Sequence, residues 1–225
     1  MLGWDEILES DIPQDAIVMS WRGTAGAIEG ARRGNRVVQT PNTHMYFDFY
    51  QSKDIQFEPF AIGGYIPVEK VYSFEPVPSE LTPEQKKLVI GCQSNLWTEY
   101  ILDFLQVQYM EMPRLAALCE VQWTAPEKKN FENFKNRIPA LFSVYDYLGY
   151  NYAKHLGDIS ATYTPVPSKK ALKVDFSTLK GSDIYYTLDG TEPTVNSTHY
   201  KRNFYVKNDA IIKAVAFRGG VKSRI

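Results

Sequence analysis

The sequence predicts an α/β chain: a parallel sheet with crossover helices over residues 1–157, followed by a small all-β, sandwich-like region over residues 158–225. Three observations predict it. Short apolar strand patterns alternate with amphipathic helical patterns as far as residue 148, and that alternation favours parallel strands joined by right-handed crossovers. After Gly157 the apolar residues switch to alternation with period two. At 225 residues, 44% of them hydrophobic, the chain can bury a real core in one large domain or two smaller ones.

Taken in order, residues 1–4 read as the tail of a strand, and residues 16–21 as a short apolar strand. Residues 24–34 carry helical spacing, with Gly34 as the C-terminal stop. Residues 36–40 form the next strand, closed by Pro41. From residue 42 to about 81 the chain is irregular and rich in proline and aromatics, and loops of that length inside a compact domain are usually functional. Thr82-Pro83-Glu84-Gln85 is a helix start, with Thr82 as N-cap and Pro83 at the first helical position. Residues 88–92 are an apolar strand. Residues 99 to about 124 read as helical with a bend at Pro113, which puts Glu99 in a first turn where it favours the dipole. Residues 127–148 form another amphipathic helix. Only about four strands fit before residue 150, whereas a closed barrel of eight takes about 250 residues, so the pattern amounts to half a barrel. Beyond it, residues 163–168, with two prolines, read as a linker. Residues 172–176, 184–188 and 211–217 read as strands, and Asp189-Gly190 marks a tight turn.

Composition narrows the function. A formal net charge of −1 argues against an electrostatic nucleic-acid or membrane-surface partner. No apolar run has membrane-spanning length. Cys92 and Cys119, both in apolar context, are expected to be buried free thiols. His44, His155 and His199 are scattered without metal spacing, and Gly63-Gly64 lacks the helix start and Lys of a phosphate loop, so no metal or cofactor is expected. Asn196-Ser197-Thr198 matches a glycosylation acceptor, a pattern short enough to occur by chance. No signal-peptide pattern is visible; the chain reads as beginning in mid-fold and stopping in an unfinished strand.

The chemistry-bearing residues collect where predicted strands run out into loops. Trp4 stands in Gly3-Trp4-Asp5-Glu6, Trp21 in Met19-Ser20-Trp21-Arg22-Gly23, and Trp97 in Asn95-Leu96-Trp97-Thr98-Glu99. A further exit carries Tyr46 and Asp48 in Tyr46-Phe47-Asp48. Aromatic faces pack on the C–H face of a pyranose and carboxylates accept from its hydroxyls, and the carboxyl ends of parallel barrel strands are where sites are built. Singly, each tryptophan reads as core, Tyr46 as a satisfied core tyrosine and Asp48 as a loop cap. Trp123, on a helix, reads as core, and Arg114 and Glu120 as helix residues paired for structure.

These segments, with Gly91-Cys92-Gln93-Ser94 and Tyr109-Met110-Glu111-Met112-Pro113-Arg114, resemble in order and spacing the C-terminal half of a bacterial β-N-acetylhexosaminidase of glycoside hydrolase family 20. Residues 158–225, with Tyr186-Thr187-Leu188-Asp189-Gly190-Thr191, resemble the small β-domain that often follows such barrels. The resemblance implies the second half of a (β/α)8 barrel that cleaves terminal non-reducing N-acetylhexosamine from glycans, without a cofactor. The substrate's own acetamido oxygen is the nucleophile, an exception to the usual two-carboxylate scheme. Carried over, Trp4, Trp21 and Trp97 line the acetamido pocket, Tyr46 donates to the acetamide as the intermediate forms, and Asp48 and Glu99 accept from the outer hydroxyls. Family members are commonly periplasmic, outer-membrane or secreted.

The family's His-x-Gly-Gly-Asp-Glu segment, which carries its acid/base pair, is absent from these residues, as is its sugar-binding arginine. Asp5-Glu6 is an adjacent carboxylate pair, but the resemblance places it on the strand after the catalytic one. The expectation is therefore an enzyme fragment that supplies the sugar pocket and is inactive alone. Its open sheet edge would be covered by the missing N-terminal half of the barrel or by a second chain. Two alternatives stay open: a non-catalytic sugar-binding or scaffold module, and an unrelated glycosidase that uses Asp5 and Glu6.

Overall fold

The computed structural model describes residues 1–225. The chain falls into two compact units, Met1–Phe134 with Tyr145–Ala153, and Lys135–Val144 with Lys154–Ile225. In the first unit β1 (Leu2–Trp4), β2 (Ile17–Ser20), β3 (Arg36–Gln39) and β4 (Val89–Cys92) form one parallel sheet in that order. The register aligns Gly3, Val18, Val37 and Val89 across the sheet. Strand side chains alternate between faces. One face sends the fully buried Val18 and Val37 onto Ala27 and Ala31 of α1 (Ala25–Arg32), with Leu8 and Leu81 completing the cluster. The opposite face keeps apolar residues in the open: Leu2 is 57% exposed and Ile90 50%.

Local signals explain the connections. Helix α1 ends because Gly34 takes φ +88°, a conformation that costs glycine nothing, and its N–H returns to the Ala31 carbonyl. The long β3–β4 connection contains α2 (Val68–Ser73), a short helix that the irregular sequence did not announce, before α3 (Pro83–Lys86). The latter begins with a reciprocal capping box between Thr82 and Gln85. After β4 the chain stays irregular until Asp103, whose carboxylate accepts the Gln106 N–H at 2.8 Å and caps α4 (Phe104–Glu111). Glu99 therefore lies outside the helix, and its expected place in a first turn is corrected: Asp103 takes the N-terminal position. The expected bend at Pro113 is a full break, with extended Met112 separating α4 from α5 (Arg114–Trp123). The next helix, α6 (Phe131–Leu148), starts later than the periodicity suggests because Asn130 caps it.

Helix α5 corrects further expectations. Its buried stripe is Arg114, Ala117, Leu118 and Val121, the i, i+3, i+4, i+7 positions of one face. Cys119 and Trp123 fall off that stripe. Cys119 is exposed rather than buried, although both cysteines are free as expected, and Trp123 is 88% exposed rather than core. Arg114 and Glu120 do not pair: Glu120 accepts from the Tyr72 hydroxyl at 2.8 Å, and every Arg114 bond goes to a backbone carbonyl.

The second unit contains two antiparallel sheets. One is β5 (Ser160–Val166), β6 (Ala171–Ser177) and, on the far side of β6, β9 (Phe204–Val206). The other holds β7 (Asp183–Thr187) between β8 (Thr198–His199) and β10 (Lys213–Arg218), with β11 (Val221–Lys222) outside β10. Val174, Phe176, Ile184 and Ala216 form its core, with Phe204 and Tyr186 stacked beside them at 4.3 Å. The expected linker at residues 163–168 is mostly strand. Pro165 is tolerated there because β5 is an edge, paired with β6 alone.

Candidate functional site

The exits of β1, β2, β3 and β4 bring the predicted aromatic residues together. Trp4 and Trp97 meet at 5.7 Å between ring centroids, tilted by 44°. Tyr46 lies 6.2 Å from Trp97 edge-on, and 6.3 Å from Trp21 in a stacked arrangement. Phe49, not anticipated from sequence, closes on Tyr46 at 5.7 Å. The sheet sets up this contact. Beyond the strand ends, Tyr46 and Asn95 form a parallel bridge, the Asn95 N–H reaches the Met45 carbonyl at 2.8 Å, and the Phe47 N–H reaches the Asn95 carbonyl at 2.7 Å. Met45 and Phe47 are fully buried and anchor the segment, so alternation turns Tyr46 the other way.

The Asp5-Glu6 pair is committed to holding Trp21. Asp5, 2% exposed, accepts the backbone N–H groups of Trp21 and Arg22 at 3.0 and 3.2 Å and pairs with Arg22 Nε at 2.6 Å. The Trp21 indole N–H donates to both Glu6 carboxylate oxygens, at 3.0 and 3.1 Å. Gly26 makes room for this: a Cβ there would stand 2.6 Å from Asp5 Cβ and 2.9 Å from Ser20 Oγ. One carboxylate thus fixes the backbone of the β2 exit and the other fixes the indole.

Asp48 follows Tyr46 and Phe47 and is only 6% exposed. Its Oδ1 is buried without a hydrogen-bond partner, an acceptor with spare capacity. Burial is the main influence on its carboxyl and raises its pKa above the ordinary carboxylate value. The backbone N–H groups of Asp48 and Trp97 and the charge of Arg114 pull it back, while Glu99 pushes it up. Glu99 itself is exposed on the loop after Trp97. Burial likewise lifts the Tyr46 hydroxyl above the usual phenol range, opposed by hydrogen bonding with Trp97 and Asn95.

Sequence reasoning missed Arg114 as part of this neighbourhood. It is completely buried and reaches the carbonyls of Phe47 and Phe49, on either side of Asp48. The signals were its place at the end of Tyr109-Met110-Glu111-Met112-Pro113-Arg114, one of the segments that carry the resemblance, and the apolar residues that follow it; neither gave it a role.

Comparison with known proteins identifies the family of the chain. The glycosyl hydrolase family 20 catalytic domain matches residues 1–126, and a domain described as Fn3 associated matches residues 172–225. A β-hexosaminidase of Porphyromonas gingivalis (strain ATCC BAA-308 / W83) is 40% identical over 204 residues, covering 89% of this chain and 26% of that protein. A β-N-acetylhexosaminidase of Cellulomonas fimi is 28% identical, covering 68% of this chain and 31% of that protein. The crystal structure of the family 20 exo-β-N-acetylglucosaminidase of Vibrio harveyi in complex with N-acetylglucosamine superposes with a TM-score of 0.61 at 31% identity, over 68% of this chain and 24% of that one. The chain therefore spans about a quarter to a third of the length of these relatives. With the catalytic domain matched over more than half of its 225 residues, this chain belongs to glycosyl hydrolase family 20.

Proposed function

We propose that this chain is the sugar-holding part of an exo-β-N-acetylhexosaminidase acting by substrate-assisted catalysis. Residues 1–157 make up the second half of its eight-stranded barrel, and residues 158–225 a sandwich-like β-domain. The observation that carries the proposal is the contact of Trp4, Trp21, Tyr46 and Trp97 at the exits of parallel strands, beside a buried carboxylate oxygen of Asp48 that has no protein partner.

In this proposal the three indoles enclose the acetamide of a terminal N-acetylhexosamine and press its carbonyl oxygen toward the anomeric carbon, a proximity effect. The C1–O bond to the acetamide forms as the glycosidic bond breaks, and the leaving oxygen takes a proton from a general acid. Tyr46 donates its hydroxyl to the acetamide as charge shifts during ring closure. Asp48 and Glu99 accept from the outer sugar hydroxyls. Water then opens the cyclic intermediate with retention. The proton-transfer carboxylate and the aspartate that orients the acetamide come from the strands that complete the barrel, because Asp5 and Glu6 are engaged with Arg22 and Trp21.

The exposed sheet surfaces are where those strands belong. The β4 edge borders an open groove of about 910 Å³ whose walls include Val89, Ile90, Cys92, Val121 and Trp123. An unpaired edge beside such apolar side chains is a docking surface for the rest of a barrel. We call the chain together with those strands the assembled enzyme. The test compares nitrophenyl N-acetyl-β-D-glucosaminide with the matching glucoside that lacks the acetamide. The assembled enzyme should turn over the first alone, and Trp21→Ala should lower kcat/KM about 10²-fold, the cost of a misplaced reacting group. Equal turnover of the two sugars would contradict substrate assistance.

A further inference from the structure

We propose that Arg114 is the positioning residue of this pocket: it pins the loop that carries Tyr46 and Asp48 and keeps Asp48 where a sugar hydroxyl can reach it. The inference rests on the sugar-pocket reading above and adds a residue to it.

Arg114 opens α5 and has no solvent exposure. Its Nε donates to the Met110 carbonyl at 3.0 Å, and Nη1 to those of Phe49 at 3.0 Å and Ile66 at 3.1 Å. Nη2 donates to the Phe47 and Met110 carbonyls. The guanidinium also sits 4.7 Å over the Phe47 ring. No carboxylate bonds to it. The fork is therefore spent on main chain, and the main chain it holds is specific. Phe47 and Phe49 flank Asp48 on the outgoing arm of the β3–β4 connection. Ile66 lies on the returning arm, joined to the outgoing one through its N–H to the Tyr50 carbonyl at 2.9 Å. Met110 ties both arms to α4. One side chain thus fixes both arms of the connection, and Gln51, donating to the Tyr109 carbonyl, adds a second tie to the same helix.

The residue type matters twice. Only arginine presents five N–H donors in a rigid fork, and lysine cannot span these carbonyls. Its positive charge also works on Asp48 against burial and against Glu99. Burial lowers the Arg114 pKa to about 9, opposed by Glu58, Asp48, Tyr109 and Glu111, so the group remains a cation at neutral pH. A fully apolar side chain in the same space would neither aim the carbonyls nor favour an ionised Asp48.

The experiment compares Arg114→Met, Arg114→Lys, Asp48→Asn and the Arg114→Lys/Asp48→Asn double variant in the assembled enzyme, on nitrophenyl N-acetyl-β-D-glucosaminide across pH. Arg114→Met should lower kcat/KM about 10²-fold, as expected for a displaced group, and move the acid limb of the profile up by about one unit, the effect of losing a nearby opposite charge. Arg114→Lys should fall less and leave the acid limb in place. The double variant should lose less than the product of the Arg114→Lys and Asp48→Asn losses, because Arg114 acts in part through Asp48. Folded Arg114→Met with wild-type kcat/KM, or with an unmoved acid limb, overturns the proposal, as do losses that multiply in the double variant. If Arg114→Met does not fold, Arg114→Lys decides, and wild-type kcat/KM there overturns it. Should Asp48→Asn alone cost nothing, the sugar-pocket reading fails and this role with it.

Discussion

At Tyr46, burial among rings keeps the hydroxyl protonated and able to donate across the neutral range. If it holds the acetamide oxygen in line with the anomeric carbon as the C1–O bond forms, Tyr46→Phe should lower kcat far more than it raises KM in the assembled enzyme. A misplaced reacting group of this kind costs about 10²-fold. Steady-state kinetics decides, and a change confined to KM would reduce Tyr46 to a ground-state contact. Two residues on, Asp48 has the opposite problem, because it must be charged to accept from hydroxyls yet burial favours its neutral form. As pH falls, it should lose its charge above the ordinary carboxylate range, and sugar binding should weaken there. The stability sign follows from the same shift. A carboxyl whose folded pKa is raised contributes stability that is fully present below its unfolded pKa and is lost as pH rises through the folded one. Asp48→Asn should therefore raise the melting temperature of this chain at neutral pH, by thermal unfolding, while it weakens the site. A lower melting temperature would show that the charge is better compensated than its surroundings indicate.

Among the elements, the β1 and β2 exits depend on each other through Asp5, Trp21 and Gly26. Alanine is the better helix former by about 1 kcal/mol, yet Gly26→Ala should destabilise the chain, by about 1–3 kcal/mol as for other overpacked sites. The added Cβ would meet Asp5 and Ser20 below contact distance. Denaturant unfolding measures it, and a stabilised variant would mean that the exit turn can move. Most strands, the Thr82 cap and the clustered Trp4, Trp21, Tyr46 and Trp97 were legible in the sequence because each leaves a local mark: apolar runs, Thr82-Pro83, an aromatic residue after a strand. What was not legible lacked such a mark. Helix α2 is a short helix set within an irregular stretch. Asp103 caps α4 inside an apolar run that already looked helical. Pro165 reads as linker, and only the edge position of β5 makes it strand. Trp123 and Cys119 were judged by composition, but helical spacing carries both to the far side of α5 from its buried stripe. Arg114 was invisible because its partners are main-chain carbonyls, most of them far away in sequence, which no side-chain pattern records.

For the whole molecule, the four-stranded parallel sheet ends at β1 on one side and β4 on the other, and Leu2, Ile90 and Trp123 lie exposed near those ends. Unpaired edges and apolar surface of this kind drive association. In isolation the chain should self-associate, and light scattering over a concentration series should show mass rising with concentration; a monodisperse monomer throughout would mean that the edges are protected. The central claim, that this chain holds the sugar while the proton-transfer pair comes from elsewhere in the barrel, meets its most direct test in one measurement. That measurement is the release of nitrophenol from nitrophenyl N-acetyl-β-D-glucosaminide by the purified chain, with and without the strands that complete the barrel. The account predicts no enzymic turnover from the chain alone, and turnover in the usual range of about 1–10³ s⁻¹ once the barrel is complete. Turnover of that order by the chain alone, abolished by Glu6→Gln, would contradict it and return the acid/base role to Asp5 and Glu6.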